Sequence, residues 1–189
     1  MGAYTDPRQV IAMEKRAKVF IAGSRRLSRL TPDVLRQIDN ILAQRCTVLV
    51  GDANGVDKAV QLYLKTRQYR EVMVFCVDGK WRHNAGNWPV KSIEATRPSP
   101  RDFAYFYSKD RVMARECDYA FVVWDGRSPG TLANILDLRK EAKPVIVYVA
   151  PNRLFFTLWA PDDLAGMLEA VAPHLLLTRE SELDDLAVA

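Results

Sequence analysis

The sequence predicts an α/β fold, namely a doubly wound parallel sheet with helices on both faces. Five short apolar runs, rich in β-branched and aromatic residues, alternate with segments of helical periodicity. None of these runs alternates cleanly between polar and apolar residues, as expected when helices cover both faces of a parallel sheet. A β-α-β-α order of this kind forms an open, doubly wound sheet. In chain order, the predicted strands are VFIAG from Val19, TVLVG from Thr47, VMVFCV from Val72, YAFVVWDG from Tyr119 and PVIVYVA from Pro144.

Helical patterns fill the gaps between these strands. After the first strand, Thr31 supplies an N-cap with a proline behind it, and Ser128 repeats this start after the fourth strand. After the second strand, Asn54 fits an N-cap and Asp57 the N3 position of a capping arrangement. The three apolar helix faces consist of Leu35, Ile38 and Leu42, of Val56, Ala59, Val60, Tyr63 and Leu64, and of Leu132, Ile135 and Leu136.

The chain has the length of one domain and contains no linker, internal repeat or low-complexity tract. We therefore expect a single domain over 1–189, with a core of about 18–150 and a C-terminal extension, 151–189. The segment 78–101 has neither helical nor strand periodicity, and so long an irregular segment in a compact domain is usually functional or mobile. The extension carries one amphipathic helix, whose apolar face consists of Leu164, Met167, Leu168 and Val171.

The charge balance is mildly basic, with 27 Lys and Arg residues against 23 Asp and Glu residues. This balance is compatible with a nucleic-acid binder and with a pocket for an anionic metabolite, and it does not distinguish between them. No apolar run approaches the ~20 residues of a membrane span, and the start lacks the pattern of a secretory signal peptide. Cys46, Cys76 and Cys117 lie in or beside apolar segments, as free thiols do in a reducing compartment. We therefore expect a cytoplasmic protein with no membrane partner.

Candidate chemistry lies in three glycine-containing turns at the ends of predicted strands. Ligands of open α/β sheets bind outside the carboxyl ends of the strands, near helix N-termini. Glycines let the backbone approach a ligand and leave N–H groups of the next helix for an anion. Helix capping explains each turn equally well, but three turns on one edge outline a phosphate-binding surface. The candidate ligand-binding residues in these turns are Gly23, Ser24, Arg25, Gly51, Asp52, Asn54, Gly55, Asp57, Asp125, Gly126, Ser128, Gly130 and Thr131.

Several other classes of site lack support in the sequence. None of the turns is a G-x-G-x-x-G fingerprint or a P-loop, which disfavours NAD binding and ATP hydrolysis. His83 and His174 lack the spacing of a helical zinc site, and the cysteines form no C-x-x-C motif. Without a G-x-S-x-G elbow, a hydrolase triad has no support either. We therefore expect neither a metal ion nor a cofactor.

Aromatic residues offer two ways to stack on a ligand ring. The aromatic run between Phe103 and Tyr107 could contact a base, although such runs more often pack a helix onto the sheet. Trp124 ends a predicted strand beside Asp125 and is therefore closer to the predicted site. Of the two, Trp124 is the better candidate for ring stacking.

Four segments make the sequence similar to a known superfamily. They are GDANGVDKAVQ, WRHNAG, KDRVMARECDYAFVVWDGRSPGTLANI and KPVIVYV. On these segments the chain resembles the SLOG superfamily and, within it, the DprA/YpsA-related bacterial branch, which is related to the Lonely Guy phosphoribohydrolases. The resemblance covers about residues 18–150. It implies a Rossmann-like fold that binds nucleotides or nucleotide-derived ligands at the carboxyl edge of the sheet.

The resemblance also assigns roles to individual positions. The second of the three turns stands where the family has G-G-x-x-G-A-D, with Asp52 in place of the second glycine. Gly130 and Thr131 stand for the G-T of the phosphate-binding P-G-G-x-G-T motif. The segment that contains Trp81 and His83 resembles the W-x-x-x-x-A-G segment that covers the pocket in this branch.

Enzymatic members use an arginine before x-x-M and a glutamate after G-T-x-x to cleave an N-glycosidic bond. By resemblance, Lys109 and Met113 stand in the first motif, and Asn134 stands at the glutamate position. Lysine can still pair with a phosphate, whereas asparagine cannot act as a general base. Asp125, Asp52 and Asp57 are the alternative carboxylates for a hydrolytic mechanism.

Three functions stay open on these observations. The first is a sensor or sequestering protein that binds a nucleotide-like small molecule, with Lys109 on its phosphates. The second is an N-glycosidase that cleaves a nucleoside monophosphate to base and ribose phosphate. The third is single-stranded DNA binding, which predicts an affinity that falls steeply with salt and ranks last because the basic residues form no stripe. The resemblance further implies a homodimer or a larger homo-oligomer.

Overall fold

The computed structural model of the protein describes residues 16–95, 103–160 and 162–172. His174, the end of the irregular segment and the rest of the extension lie outside the described residues. The strands are β1 (Lys18–Gly23), β2 (Thr47–Val50), β3 (Val72–Val77), β4 (Val90–Ile93), β5 (Tyr119–Trp124), β6 (Val145–Val149) and β7 (Leu154–Leu158). The helices are α1 (Pro32–Ala43), α2 (Val56–Thr66), α3 (Phe103–Glu116), α4 (Pro129–Lys140) and α5 (Asp163–Val171).

The strands form one sheet in the order β4-β3-β2-β1-β5-β6-β7. All neighbouring pairs are parallel except β6 and β7, which are antiparallel. The predicted α/β class is confirmed. All five predicted strands are present as β1, β2, β3, β5 and β6. Because β1 pairs with β2 on one side and with β5 on the other, the connections change direction beside β1, which is where ligands of such sheets bind.

Helices cover both faces of the sheet, as predicted. On one face, α1 and α2 pack their buried Val and Ile residues against β1, β2 and β3. On the other face, α3, α4 and α5 cover the second apolar cluster. Successive strand residues point to opposite faces, so Phe20 and Ala22 of β1 belong to the second cluster and Ile21 to the first.

The helix starts follow the predicted caps in two of three cases. Thr31 accepts a hydrogen bond from the Val34 N–H, and Ser128 accepts one from the Thr131 N–H. The predicted cap at Asn54 is wrong, because α2 is capped by Gly55 with a φ of 79° and no side-chain hydrogen bond. A positive φ there favours glycine over asparagine at the point where the chain enters the helix.

The helix faces are close to those predicted. In α1 the buried residues are Val34, Ile38 and Ile41, so the face is turned slightly from the predicted one, and Leu35 and Leu42 are half-buried. In the other three helices with a predicted apolar face, residues of that face are buried. They are Val56, Val60 and Leu64 in α2, Leu132 and Ile135 in α4, and Met167 and Leu168 in α5. Within the described residues, no helix is long and apolar enough to cross a bilayer.

Two strands lie where the sequence indicated none. The edge strand β4, with the sequence VKSI, lies within the segment predicted to be irregular and pairs in parallel with β3. The other edge strand, β7, lies in the extension and pairs with β6. A short connection between β6 and β7 leaves no room for a crossover helix, so the two strands form a hairpin and the sheet is not wholly parallel.

Candidate functional site

A cavity of about 320 Å³ opens at the carboxyl edge of the sheet, beside the end of β1. It lies on the face that α3 and α4 cover, at the point where the connections of the sheet change direction. All three glycine-containing turns contribute to it. Its lining residues are Phe20, Ala22, Gly23, Arg25, Arg26, Ala53, Asp57, Phe103, Lys109, Asp110, Asp125, Arg127, Ser128, Pro129, Gly130, Thr131 and Asn134.

The buried Ser24 holds these turns together. Its hydroxyl lies 3.2 Å from the Thr131 hydroxyl and accepts a hydrogen bond from the Asp125 N–H at 3.1 Å. Its carbonyl oxygen accepts from the Val56 N–H at the start of α2. Ser24 therefore fixes the cavity without lining it, since it joins the ends of β1 and β5 to the first turns of α2 and α4.

The rim of the cavity is the N-terminus of α4. The first N–H groups of a helix have no partner inside the helix and carry a partial positive charge. The Asp125 carboxylate accepts from the Arg127 and Ser128 N–H groups at 3.0 and 2.7 Å, which shapes the turn that leads into the helix. Pro129 has no N–H group and the Thr131 N–H is bonded to the Ser128 hydroxyl. Gly130, which lines the cavity beside the Phe103 ring, provides the next N–H group of this turn.

Three exposed arginines line the same cavity, namely Arg25, Arg26 and Arg127. No described carboxylate forms an ion pair with any of them. Arg25 also lies 5.8 Å above the Phe106 ring. The rim is thus positively charged by both the helix and the side chains, an arrangement that attracts anions.

The floor of the cavity is a buried charge cluster centred on Lys109. The Lys109 ammonium lies 2.5 Å from the Asp110 carboxylate and 4.0 Å from that of Asp52. Burial alone would lower the pKa of Lys109, but the charges of Asp110 and Asp57 outweigh burial and raise it. Lys109 is therefore charged and already paired. Gly51 makes room for this cluster, because a Cβ there would meet the Asp57 carboxylate and the Lys109 ammonium.

Asp57 is the second acid of the floor. Its carboxylate accepts a hydrogen bond from the Ala53 N–H at 3.1 Å. Burial raises the pKa of Asp57 to about 6, against the lowering effect of Lys109. Asp57 therefore binds and releases a proton close to neutral pH, where an acid or base of an active site would also titrate.

Asp110 and Asn134 form a pair beside Lys109. The Asn134 amide donates to the second Asp110 oxygen at 3.5 Å. Asn134 is only 8% exposed, and its Oδ1 atom is buried without a hydrogen-bond partner among the described residues. Such atoms are rare in folded proteins because they lose their hydration without compensation.

Nine of the nineteen predicted site residues line the cavity, and ten do not. Trp124 is fully buried in the core, and its indole N–H donates to the Ser128 carbonyl oxygen, so its ring is not available for stacking on a ligand. Met113 is likewise a core residue, and Trp81 is 56% exposed. The residues outside the cavity are Ser24, Gly51, Asp52, Asn54, Gly55, Trp81, His83, Met113, Trp124 and Gly126.

Asp52 is withdrawn from the cavity by Arg82. The Arg82 guanidinium donates to both carboxylate oxygens, and its backbone N–H donates to one of them as well. Burial opposes ionisation, but the hydrogen bonds from Arg82 and the Lys109 charge prevail and lower the pKa of Asp52. His83 meets Asn54 at 2.8 Å, so the segment after β3 is anchored to the turn after β2.

Sequence reasoning missed several lining residues. Asp110 directly follows Lys109, but it lies on α3 whereas Asn134 lies on α4. Their contact depends on how these two helices pack, which the sequence does not show. Phe103 belongs to the aromatic run that was expected to pack against the sheet, yet it is 39% exposed at the cavity. Tyr105 and Tyr107 do pack inward, as predicted for that run.

Comparison of the chain with family models, curated proteins and solved structures gives no match in any of the three. The site is therefore interpreted from its own geometry. Within residues 16–95, 103–160 and 162–172, no group of three or more His, Cys, Asp and Glu side chains is arranged to hold a metal ion.

Proposed function

We propose that the protein binds a phosphate-bearing, nucleotide-like ligand in the cavity at the carboxyl edge of the sheet. The proposal rests on the cavity lining, which combines the N-terminus of α4 with three arginines that have no described carboxylate partner. A helix N-terminus and guanidinium groups both favour phosphate oxygens. The sequence suggested Lys109 for the phosphates, but this lysine is buried and paired. We therefore assign phosphate binding to Arg25, Arg26 and Arg127.

Phe103 supplies the aromatic contact that was first expected from Trp124. The Phe103 ring stacks on Tyr107 with centroids 4.9 Å apart and lines the cavity close to Gly130. A rigid, partly exposed ring beside a phosphate site suits the base of a nucleotide, because aromatic stacking is worth about 1–3 kcal/mol per base. The ligand we propose therefore has a phosphate at the α4 end and a base against Phe103.

Calorimetric titration with AMP, adenosine and inorganic phosphate tests this function. We expect AMP to bind more tightly than either fragment. The double variant Arg25→Gln, Arg127→Gln should weaken AMP binding about tenfold or more, since charge-assisted hydrogen bonds are among the strongest. Arg70→Gln, an exposed residue just before β3 at the opposite edge of the sheet, is the control and should bind as the wild type does. Equal affinity for AMP and adenosine would rule out a phosphate site.

A second candidate function is the N-glycosidase reaction, and the carboxylates of the floor favour it. Asp57 and Asp110 line the cavity, whereas Asp52 is held by Arg82 and Asp125 shapes its own turn. A working carboxylate would stabilise an oxocarbenium-like sugar or position water. Chromatography of the same AMP samples for free adenine decides between the two. Adenine that accumulates in proportion to protein and disappears in Asp110→Asn would establish an enzyme, and AMP recovered intact would leave a binding protein.

Single-stranded DNA binding is the third proposal, and the exposed arginines of the rim are what supports it. It requires an affinity for an oligonucleotide that falls steeply with salt as counterions are released. An affinity that does not change between low and physiological salt would rule it out. Membership of the SLOG superfamily and a homo-oligomeric state likewise stay proposals that rest on the resemblance of the sequence segments.

A further inference from the structure

The Asn134 side chain lines the cavity, yet its buried Oδ1 atom has no hydrogen-bond partner among the described residues. A buried acceptor without a donor destabilises the folded protein, so its presence at a cavity points to a donor supplied by a ligand. The terminal torsion of an asparagine is soft. A small rotation is therefore enough to let a ligand donor meet Oδ1.

The charge of the floor also favours a donor over an anion. Its cations are Lys109 and Arg82, and both are paired with carboxylates. The carboxylates around them belong to Asp52, Asp57 and Asp110. With three carboxylates against two cations, the floor does not attract a second negative group. It can instead accept hydrogen bonds, and Asp110 is the acid that lies next to Asn134.

The acceptors and the anion site are parts of one cavity. Asn134 lies one turn further along α4 than Gly130 and Thr131, so the acceptor pair lies directly behind the helix N-terminus. A ligand held by its phosphate at this rim thus brings the group next to the phosphate over Asp110 and Asn134. In a nucleotide that group is the sugar, which carries hydroxyl donors.

We propose that Asp110 and Asn134 accept the two vicinal hydroxyl groups of a ribose-type sugar, so that the cavity selects ribonucleotides over deoxyribonucleotides. This inference rests on the proposed nucleotide binding and adds the class of sugar to it. Asp110 accepts through its carboxylate and Asn134 through Oδ1. Lys109 pairs with the other Asp110 oxygen and does not contact the phosphate. A ligand without one of the hydroxyls would leave a buried acceptor unpaired.

Calorimetric titration of the wild-type protein with AMP, 2′-deoxy-AMP and 3′-deoxy-AMP provides the test. We expect AMP to bind at least about tenfold more tightly than either deoxy compound, as for the loss of a hydrogen bond to a charged or buried group. Equal affinities for the three would overturn the sugar inference and leave nucleotide binding intact. If none of the three binds, the proposed function itself fails.

Variants separate the two acceptors from the phosphate site. Asn134→Leu should reduce the preference for AMP over one of the two deoxy compounds to about twofold or less and keep the preference over the other, because it removes Oδ1 without adding a charge. Asp110→Asn should weaken the preference over the other deoxy compound, and Glu141→Gln at the exposed end of α4 should keep both wild-type preferences. An unchanged preference in a folded Asn134→Leu protein would contradict the role of Oδ1. The wild-type comparison of the three nucleotides stands by itself if a variant fails to fold.

Discussion

The chemistry of the site depends on how one buried lysine is satisfied. Lys109 is 2% exposed, and an unpaired ammonium at such a depth would be strongly destabilising. Asp110 and Asp52 provide the opposite charges, and Gly51 provides the space. At the scale of single residues, the floor is therefore a set of mutually dependent charges, and removing one partner affects all the others.

Asp57 makes the stability of this cluster depend on pH. Its pKa is about 6 in the folded protein, against an ordinary value of 3.8. A carboxyl group with a raised pKa contributes stability that is fully present below its unfolded value and is lost as pH rises through its folded value. That loss therefore falls between about pH 4 and pH 6, and it amounts to about 3 kcal/mol at most.

Asp57→Asn removes this titration, so the stability of the variant relative to the wild type should increase as pH rises from about 4 to 7. Urea unfolding of both proteins at each pH measures this difference. The direction is opposite for Asp52, whose pKa is lowered and whose contribution is lost below its ordinary value. A difference between variant and wild type that stays constant over this range would contradict the raised pKa.

At the residue scale, the sequence predicts the turn chemistry better than the direction of side chains. The Ser128 cap is where the sequence puts it. Trp124 is adjacent to the site in sequence, yet the alternation of strand β5 turns its ring into the core. Whether the side chain at the end of a strand faces the cavity or the core depends on register and packing, which residue types alone do not specify.

At the scale of elements, the decisive unit is the first turn of α4. The Ser128 hydroxyl accepts from the Thr131 N–H and lies 3.0 Å from the Thr131 hydroxyl, which in turn meets Ser24. The same turn lines the cavity and presents the helix N-terminus to it. The helix cap and the proposed anion site therefore share one turn.

Ser128→Ala should lower the free energy of unfolding by about 1 kcal/mol, as expected for the loss of an N-cap, and should also weaken AMP binding. Thr31→Ala is the matched control, because Thr31 caps α1 in the same way but does not line the cavity. It should show a similar loss of stability with unchanged affinity. Chemical denaturation and calorimetric titration measure the two effects. Equal loss of affinity in both variants would mean that general destabilisation is responsible.

The interior elements of the sheet are readable from the sequence, and its edges are not. The predicted strands have long apolar runs because both of their faces are buried. The edge strand β4 is only half-buried, with the sequence VKSI, and β7 exposes Leu154 and Phe155. Neither has a period that distinguishes it from a loop. Edge strands are defined by the neighbour they pair with, and that information lies elsewhere in the chain.

At the scale of the whole molecule, the sheet separates two apolar clusters. Trp88 is buried in the cluster under α1 and α2, and Trp124 in the cluster under α3, α4 and α5. Every interior strand contributes buried residues to both clusters. The loss of one cluster would therefore expose the other, and we expect the two faces to unfold together.

Two variants that each retain one buried tryptophan test this coupling. One keeps Trp88 and the other keeps Trp124, with the remaining tryptophans replaced by phenylalanine. In each variant the fluorescence transition in urea should coincide with the loss of far-ultraviolet circular dichroism, whatever the stability of that variant. Separate transitions in either protein would indicate that the two faces are independent folding units.

The central position of β1 has a consequence for the order in which the protein is made. The Lys18 N–H bonds the Asp118 carboxylate, 100 positions along the chain, and the last residue that lines the cavity is Asn134. During synthesis, β1 therefore waits with one unpaired edge until β5 has left the ribosome. A chain arrested before that point presents an apolar strand edge to other chains, which is a route to aggregation. The cavity can be complete only after most of the domain has been translated.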